Sequence, residues 1–258
     1  MTMTESIRVQ ALEVYVSTIT SRLEKLYTSS TRNPLEMLVD DLFCEFGQKH
    51  PAPLSEKERE VLFEATKLYG EAVCHYPFRD ILGPIYMELA SRGHKKAMGQ
   101  FFTPTCVTEL MAKMTMHDCW DQLREKASKN EEFGVCEPCC GAGAMLMGAI
   151  REVFIEAPEL LPYMSIYGVD KDRLVSRMCG AQLLCNMLIH RVSLGRLCII
   201  HGDALTVEEY ETIVFAENKD RKPLSLRERV SMLHELVSQQ QSHWQNMMPA
   251  QPQFPIAL

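Results

Sequence analysis

With 258 residues, 46 % of them hydrophobic and 24 % charged, the chain has the make-up of a soluble globular protein with room for one sizeable domain or two small ones, which excludes wholesale disorder and fibre classes. The net charge of −7 argues against a protein that coats nucleic acid without sequence preference, while leaving room for a local basic patch. No apolar run approaches the roughly 20 residues that span a bilayer, and the opening MTMTESIRVQ lacks the basic region and apolar core of a secretory signal, so the ten cysteines are expected to be buried thiols in a reducing cytoplasm.

The first hundred residues read as helices. Ile7, Ala11, Tyr15, Ile19, Leu23 and Leu26 recur at helical spacing. Asn33-Pro34 followed by Glu36 is a helix start, and Leu35, Leu38, Leu42 and Phe46 then form one stripe. Ser55-x-x-Glu58 is a capping box ahead of Val61, Leu62, Ala65 and Leu68. A fourth helix is expected over Ile81 to Ser91. After residue 130 short apolar runs alternate with helical stretches: strands at Phe133–Cys136, Ser165–Val169, Leu197–His201 and, more weakly, Thr212–Ala216, with helices at Ala144–Phe154 and Arg173–Ile189. That alternation predicts a parallel sheet with crossover helices. A polar stretch follows, then a helix from Ser225 to about Asn246 whose stripe of Val230, Leu233 and Val237 is read as packing on this domain or on another subunit. The expected division is a helical part over 1–97, an α/β part over 98–218, and a helix and tail over 219–258.

The sharpest motif is Glu137-Pro138-Cys139-Cys140-Gly141-Ala142-Gly143, placed between a predicted strand and a predicted helix. In an α/β sheet, ligands bind at the carboxyl ends of the strands. Glycines there let the backbone approach a ligand, and the helix beyond offers free N–H groups. Taken alone, the motif reads equally well as a tight structural turn. Three further segments weigh against that: Gly99-Gln100-Phe101-Phe102-Thr103-Pro104 upstream, Tyr167-Gly168-Val169-Asp170 at the end of the second strand, and Gly202-Asp203-Ala204-Leu205 at the end of the third. An acidic group ending the second strand suits ribose hydroxyls.

In this order the four segments resemble the adenine-N6 DNA methyltransferases of the type I modification-subunit kind, over roughly Phe78 to Thr206, with the stretch Asp80 to Tyr86 in keeping. The resemblance implies a Rossmann-like S-adenosylmethionine-dependent fold with a truncated sheet, preceded by the helical domain. It implies that Phe102, Thr103 and Pro104 border the methionine end of the cofactor. Glu137, where the family usually has Asp, would face its amino group, with Pro138 beside it, and Gly141 and Gly143 would pass beneath it. Asp170 would bind the ribose hydroxyls, Asp203 the adenine amino group, and Leu205 would pack on the ring.

The family's catalytic segment, an Asn or Asp with two prolines and an aromatic residue ending the fourth strand, is incomplete. The expected place reads Phe215-Ala216-Glu217-Asn218-Lys219-Asp220, and the chain holds no Pro-Pro pair. Asn218 is the candidate acceptor from the target amine. Two readings follow. One is a DNA adenine-N6 methyltransferase, completed by a partner subunit or a second copy. The other is an inactive homologue that holds the cofactor and acts through a partner in a modification or anti-restriction system. Two basic clusters, Arg92/His94/Lys95/Lys96 and Lys219/Arg221/Lys222/Arg227/Arg229, would suit DNA phosphates or simply be solvated faces. Cys136, Cys139 and Cys140 lack a second ligand pair, and Cys198 and His201 fall in a predicted buried strand, so no metal and no membrane are expected.

Overall fold

The computed structural model describes residues 3–28, 30–90 and 103–220. Four helices come first: α1 (Met3–Glu24), α2 (Pro34–Cys44), α3 (Glu56–His75) and α4 (Leu82–Leu89). Asn33 Oδ1 accepts from the Leu35 amide at 3.2 Å, and Ser55 and Glu58 exchange both bonds of a capping box. The apolar stripes face inward, with Ile19, Leu23, Leu38 and Leu62 fully buried. Each side chain of that size contributes roughly 1.5–3 kcal/mol when withdrawn from water. Two helices that the sequence pattern did not mark follow, α5 (Thr105–Met116) and α6 (Trp120–Ser128). α6 fully buries none of its residues, and only the short stripe of Trp120, Leu123 and Ala127 packs partly buried on the core, a weak signal in a polar stretch.

The α/β part runs β1 (Phe133–Glu137), α7 (Ala144–Glu156), a 3-10 turn at Pro158–Tyr163, β2 (Met164–Asp170), α8 (Arg173–Ile189), β3 (Arg196–Asp203) and β4 (Glu208–Glu217). The sheet order is β1-β2-β3-β4, and the first two pairings are parallel. The fold is thus a Rossmann-like α/β arrangement with a short sheet. The fourth strand departs from expectation: β4 pairs with β3 antiparallel. Only Ala204 to Val207 separate the two strands, far fewer residues than a crossover requires, so the chain can only double back as a hairpin. Two register shifts leave Tyr210 and Ile213 as extra residues on β4.

α7 and α8 cover one face of the sheet. Ile166, Leu197 and Ala216 lie buried there, and Leu146 of α7 reaches Gly168 so closely that a Cβ on the glycine would sit 2.9 Å from it. α8 lies between the sheet and the N-terminal helices, with Gly180 facing Val214 on one side and Phe43 on the other. One continuous apolar core therefore runs from α1 to β4.

Polar side chains stitch the same layers. Buried Asp40 of α2 accepts from Arg177 of α8 at 2.6 Å and from Arg32 at 2.9 Å. Gln182 of α8 receives the Ile81 and Leu82 amides on Oε1 and donates Nε2 to Asp80 Oδ1 and to the Ala142 carbonyl. Asn186, one turn on, accepts the Phe78 amide at 2.6 Å. The thiols are not uniformly buried as expected. Cys140, Cys179 and Cys185 are, but Cys74, Cys106, Cys136 and Cys139 are exposed and Cys198 is half-exposed. Among the described residues no helix is long and apolar enough to cross a membrane.

Candidate functional site

The carboxyl ends of β1, β2 and β3 come together at one edge of the sheet. From Glu137 the chain turns at once, and the Cys140 amide hooks onto the Val169 carbonyl at 2.8 Å, pinning the turn over β2. Gly141 has φ +56 and donates its amide to Asp170 Oδ2 at 2.9 Å. Gly143 has φ +95, and a Cβ there would lie 2.8 Å from the Cys179 sulfur. Backbone angle and space both demand glycine at that position. Gly143 also forms the N-cap of α7 without any side-chain cap bond, so no side chain competes for the first-turn N–H groups, which suit an anion.

Asp170 ends β2. Its Oδ1 accepts from the Asp172 amide and its Oδ2 from Gly141, so one carboxylate ties its own turn to the glycine turn. Each oxygen keeps a further lone pair. Asp172 caps α8 through the Leu174 and Val175 amides. Asp203 ends β3 and is only 8 % exposed. Its Oδ1 accepts from Leu205 and Thr206, and its Oδ2 takes the Lys171 ammonium at 2.6 Å. That ammonium, with the Leu205 amide, holds the Asp203 carboxyl below the usual range. Leu205 and Val207 stand almost fully exposed at the hairpin, and Val207 has φ +58, an uncommon backbone state for a β-branched residue.

Glu137 is half-buried at the end of β1 and accepts from the Cys139 amide at 3.3 Å. Thr103 and exposed Pro104 open α5, whose first turn bonds back to the Pro104 carbonyl. α5 lies close on α7: a Cβ on Gly148 would meet the Thr108 carbonyl oxygen at 3.3 Å. Between the start of α7, α5 and the Asp80 segment lies a small hollow, with room for about one water molecule, bordered by Asp80, Thr105, Glu109, Ala144 and Arg151. Glu109 is bridged there by Arg79 and by Arg151, whose Nε is buried without a partner. Phe102, with the rest of its motif back to Gly99, lies outside the described residues, as does the cluster Arg92/His94/Lys95/Lys96.

The Cys140 and Cys179 thiols, both buried, are packing groups, whereas Cys139 of the same turn is exposed. The Cys140 thiol bonded to it, together with burial, pushes the Cys179 thiol well above the ordinary range. Among the described residues no three potential metal ligands gather.

Asn218 requires a correction. Because β4 runs antiparallel, its last residue reaches the amino-terminal end of β3, at the opposite edge of the sheet from Glu137, Asp170 and Asp203. There the Asn218 amide donates to the Gly195 carbonyl at 2.8 Å, and its Nδ2 to Ser193 Oγ at 3.2 Å, in a 4 % exposed position. Lys171 and Gln182 carry clear geometric roles that the motif reading did not assign. Lys171 had a signal, its place directly after Asp170, whereas Gln182 sits inside an apolar helix where only the tertiary fold gives it partners.

Over residues 78–222 the chain matches the family of N-6 DNA methylases. It is 27 % identical over 135 residues to the type I restriction enzyme MpnII methylase subunit of Mycoplasma pneumoniae, covering 51 % of this chain and 22 % of that protein. It is 31 % identical over 108 residues to the type II methyltransferase M.VspI of a Vibrio species, covering 41 % of this chain and 22 % of that one. The chain thus matches about a fifth of the length of either relative. A solved structure from Listeria monocytogenes, assigned to the class I S-adenosylmethionine-dependent methyltransferases, superposes with a TM-score of 0.45 at 15 % identity over 76 % of this chain and 54 % of that one.

Proposed function

The chain belongs to the N-6 DNA methylase family, and from that premise we propose that it binds S-adenosylmethionine at the carboxyl ends of β1, β2 and β3 and supplies the cofactor half of a DNA adenine-N6 methyltransferase. A partner subunit or a second copy completes the base pocket. The observation that carries this reading is the convergence of the Gly141–Gly143 turn, Asp170 and Asp203 on adjacent strand ends. The donor set suits the molecule: carboxylates for hydroxyls and an amine, a turn that admits no Cβ, and an uncapped helix start for a carboxylate.

In this reading Asp170 holds the ribose hydroxyls with its remaining lone pairs, and Asp203 takes the adenine amine once Lys171 swings aside. Leu205, 95 % exposed, has its whole side chain available to the ring. Glu137 and Pro138 face the amino group, and Thr103 and Pro104 border the methionine end. When bound, the cofactor supplies an electrophilic methyl group on its sulfonium. The residues 98–218 form the cofactor unit, the helices before it brace it, and the protein works in the cytoplasm on DNA.

The position of Asn218 favours a second reading, in which the chain binds the cofactor but transfers nothing by itself. Calorimetric titration with S-adenosylmethionine, then with S-adenosylhomocysteine, tests the shared half of both. Saturable one-site binding supports the site, and no heat at either ligand removes it. Methylation of candidate DNA by the isolated chain and by the chain with co-purified partners then separates the two.

A further inference from the structure

Among the described residues, helices cover only one face of the sheet. Cys136, Tyr167, Cys198 and Phe215 occupy one register row across all four strands. The adjacent row of Val135, Ile166, Leu197 and Ala216 faces α7 and α8, so the pleat turns the first row to the other side. That row is open: Tyr167 is 36 % exposed, Phe215 46 %, and Cys136 exposed. Parallel strands ordinarily carry cover on both faces.

We propose that residues 225–246 of this same chain are the cover, a helix laid on this row by Leu226, Val230, Leu233 and Val237. Those positions repeat at the spacing of one helix face. The chain leaves β4 at the foot of the open face, where the Asn218 amide is tied to Gly195. Residues 219–224 reach up to about 20 Å when extended, against roughly 14 Å for the width of four strands. A helix over 225–246 measures about 33 Å, enough to run the length of the sheet.

Charge points the same way. Glu132 and Glu217 stand at the foot of the face, both within ion-pair distance of Arg196, and Lys219, Arg221, Lys222, Arg227 and Arg229 begin the segment. The other stretch outside the described residues, 91–102, joins α4 to α5, and α5 packs on α7, so both of its ends are rooted on the face that is already covered. The inference is independent of cofactor binding.

The sheet carries its own reporters. In the intact protein, alkylation of Cys136 and Cys198 by iodoacetamide is expected to be at least tenfold slower than that of exposed Cys106, read by peptide mass spectrometry. In the L233D/V237D double variant both thiols should speed up tenfold while Cys106 stays unchanged, and Tyr167→Glu, made on the sheet side, should release Cys198 in the same way. With Leu233→Cys, a short bismaleimide should bridge position 233 to Cys136 or Cys198 within one chain. Equal rates in the intact protein and the variants would overturn the proposal. Protection or bridging that disappears on dilution would overturn it too, in favour of a second copy on this face.

Discussion

Lys171 Nζ donates to Asp203 Oδ2 across 2.6 Å, joining the ends of β2 and β3 over the place where a ligand would enter. The lysine is three-quarters exposed, while the aspartate side chain is only 11 % exposed, so the lysine is the partner free to leave. Lys171→Ala should therefore strengthen S-adenosylhomocysteine binding several-fold in calorimetry, because Asp203 no longer exchanges one cation for an amine. The same variant should lose affinity at a higher pH than the parent on acidification. The ammonium keeps the Asp203 carboxyl ionised to lower pH, and without it protonation comes sooner.

Asp170 accepts from the Gly141 amide and, in the proposed reading, also from the ribose hydroxyls. Asp170→Ala should weaken cofactor binding by about 1–3 kcal/mol, the range for charge-assisted hydrogen bonds. It should also loosen the glycine turn, so the urea midpoint falls with it. An unchanged dissociation constant in a folded variant would show that Asp170 does not hold the ribose.

Gln182 is a four-bond junction between α8, the start of α4 and the glycine turn. Gln182→Leu keeps the bulk but strands the buried Ile81 and Leu82 amides and leaves Asp80 Oδ1 with the Gly83 amide alone. A loss of about 3 kcal/mol in denaturant unfolding is expected, since each buried orphan costs roughly 1–3 kcal/mol. A loss under 1 kcal/mol would mean that water takes over these bonds.

Asp80 responds to pH. Burial pushes its carboxyl above the ordinary value, against the pull of the Gln182 and Gly83 bonds. The folded chain thus holds this proton at a pH where the unfolded chain has lost it. Asp80's contribution to stability grows as pH falls from the raised pKa toward the ordinary one, and shrinks as pH rises. Asp80→Asn should gain on the parent at neutral pH, and the gain should fade on acidification. Paired urea midpoints over a pH series read this directly.

Asn218→Ala should leave cofactor affinity unchanged and cost about 1 kcal/mol of stability, the worth of one buried hydrogen bond. Any methylation measured with a partner present should persist in that variant. Loss of transfer with stability intact would return Asn218 to the chemistry.

The local sequence carries the elements well. α8 covers the expected span, Arg173–Ile189, because Asp172 caps it and its apolar residues cover most of its circumference. The glycine turn and the two aspartates were legible because each follows a short apolar run that reads as a strand, and because the segments stand in a recognisable order. What the sequence did not carry was direction. The run at Thr212–Ala216 reads the same whether it runs up or down, and only the four residues between β3 and β4 decide it. The position assigned to Asn218 depended on that direction, so one strand reversal moved the candidate acceptor from one end of the sheet to the other. The exposed thiols were misjudged for a related reason: Cys136 and Cys198 belong to the strand face away from the helices, and periodicity does not say which face will find a neighbour.

The two borders of the sheet are unlike. β4 forms one border, and its two inserted residues and its glutamates 208, 209, 211 and 217 spoil it as a template for further pairing. β1 forms the other, short and regular, with β2 as its sole strand partner among the described residues. Growth of the sheet is therefore one-sided. A strand contributed from elsewhere and running parallel to β1 would finish level with Glu137, so whatever residue it carried at its tip would arrive at the same edge of the sheet as the glycine turn, Asp170 and Asp203.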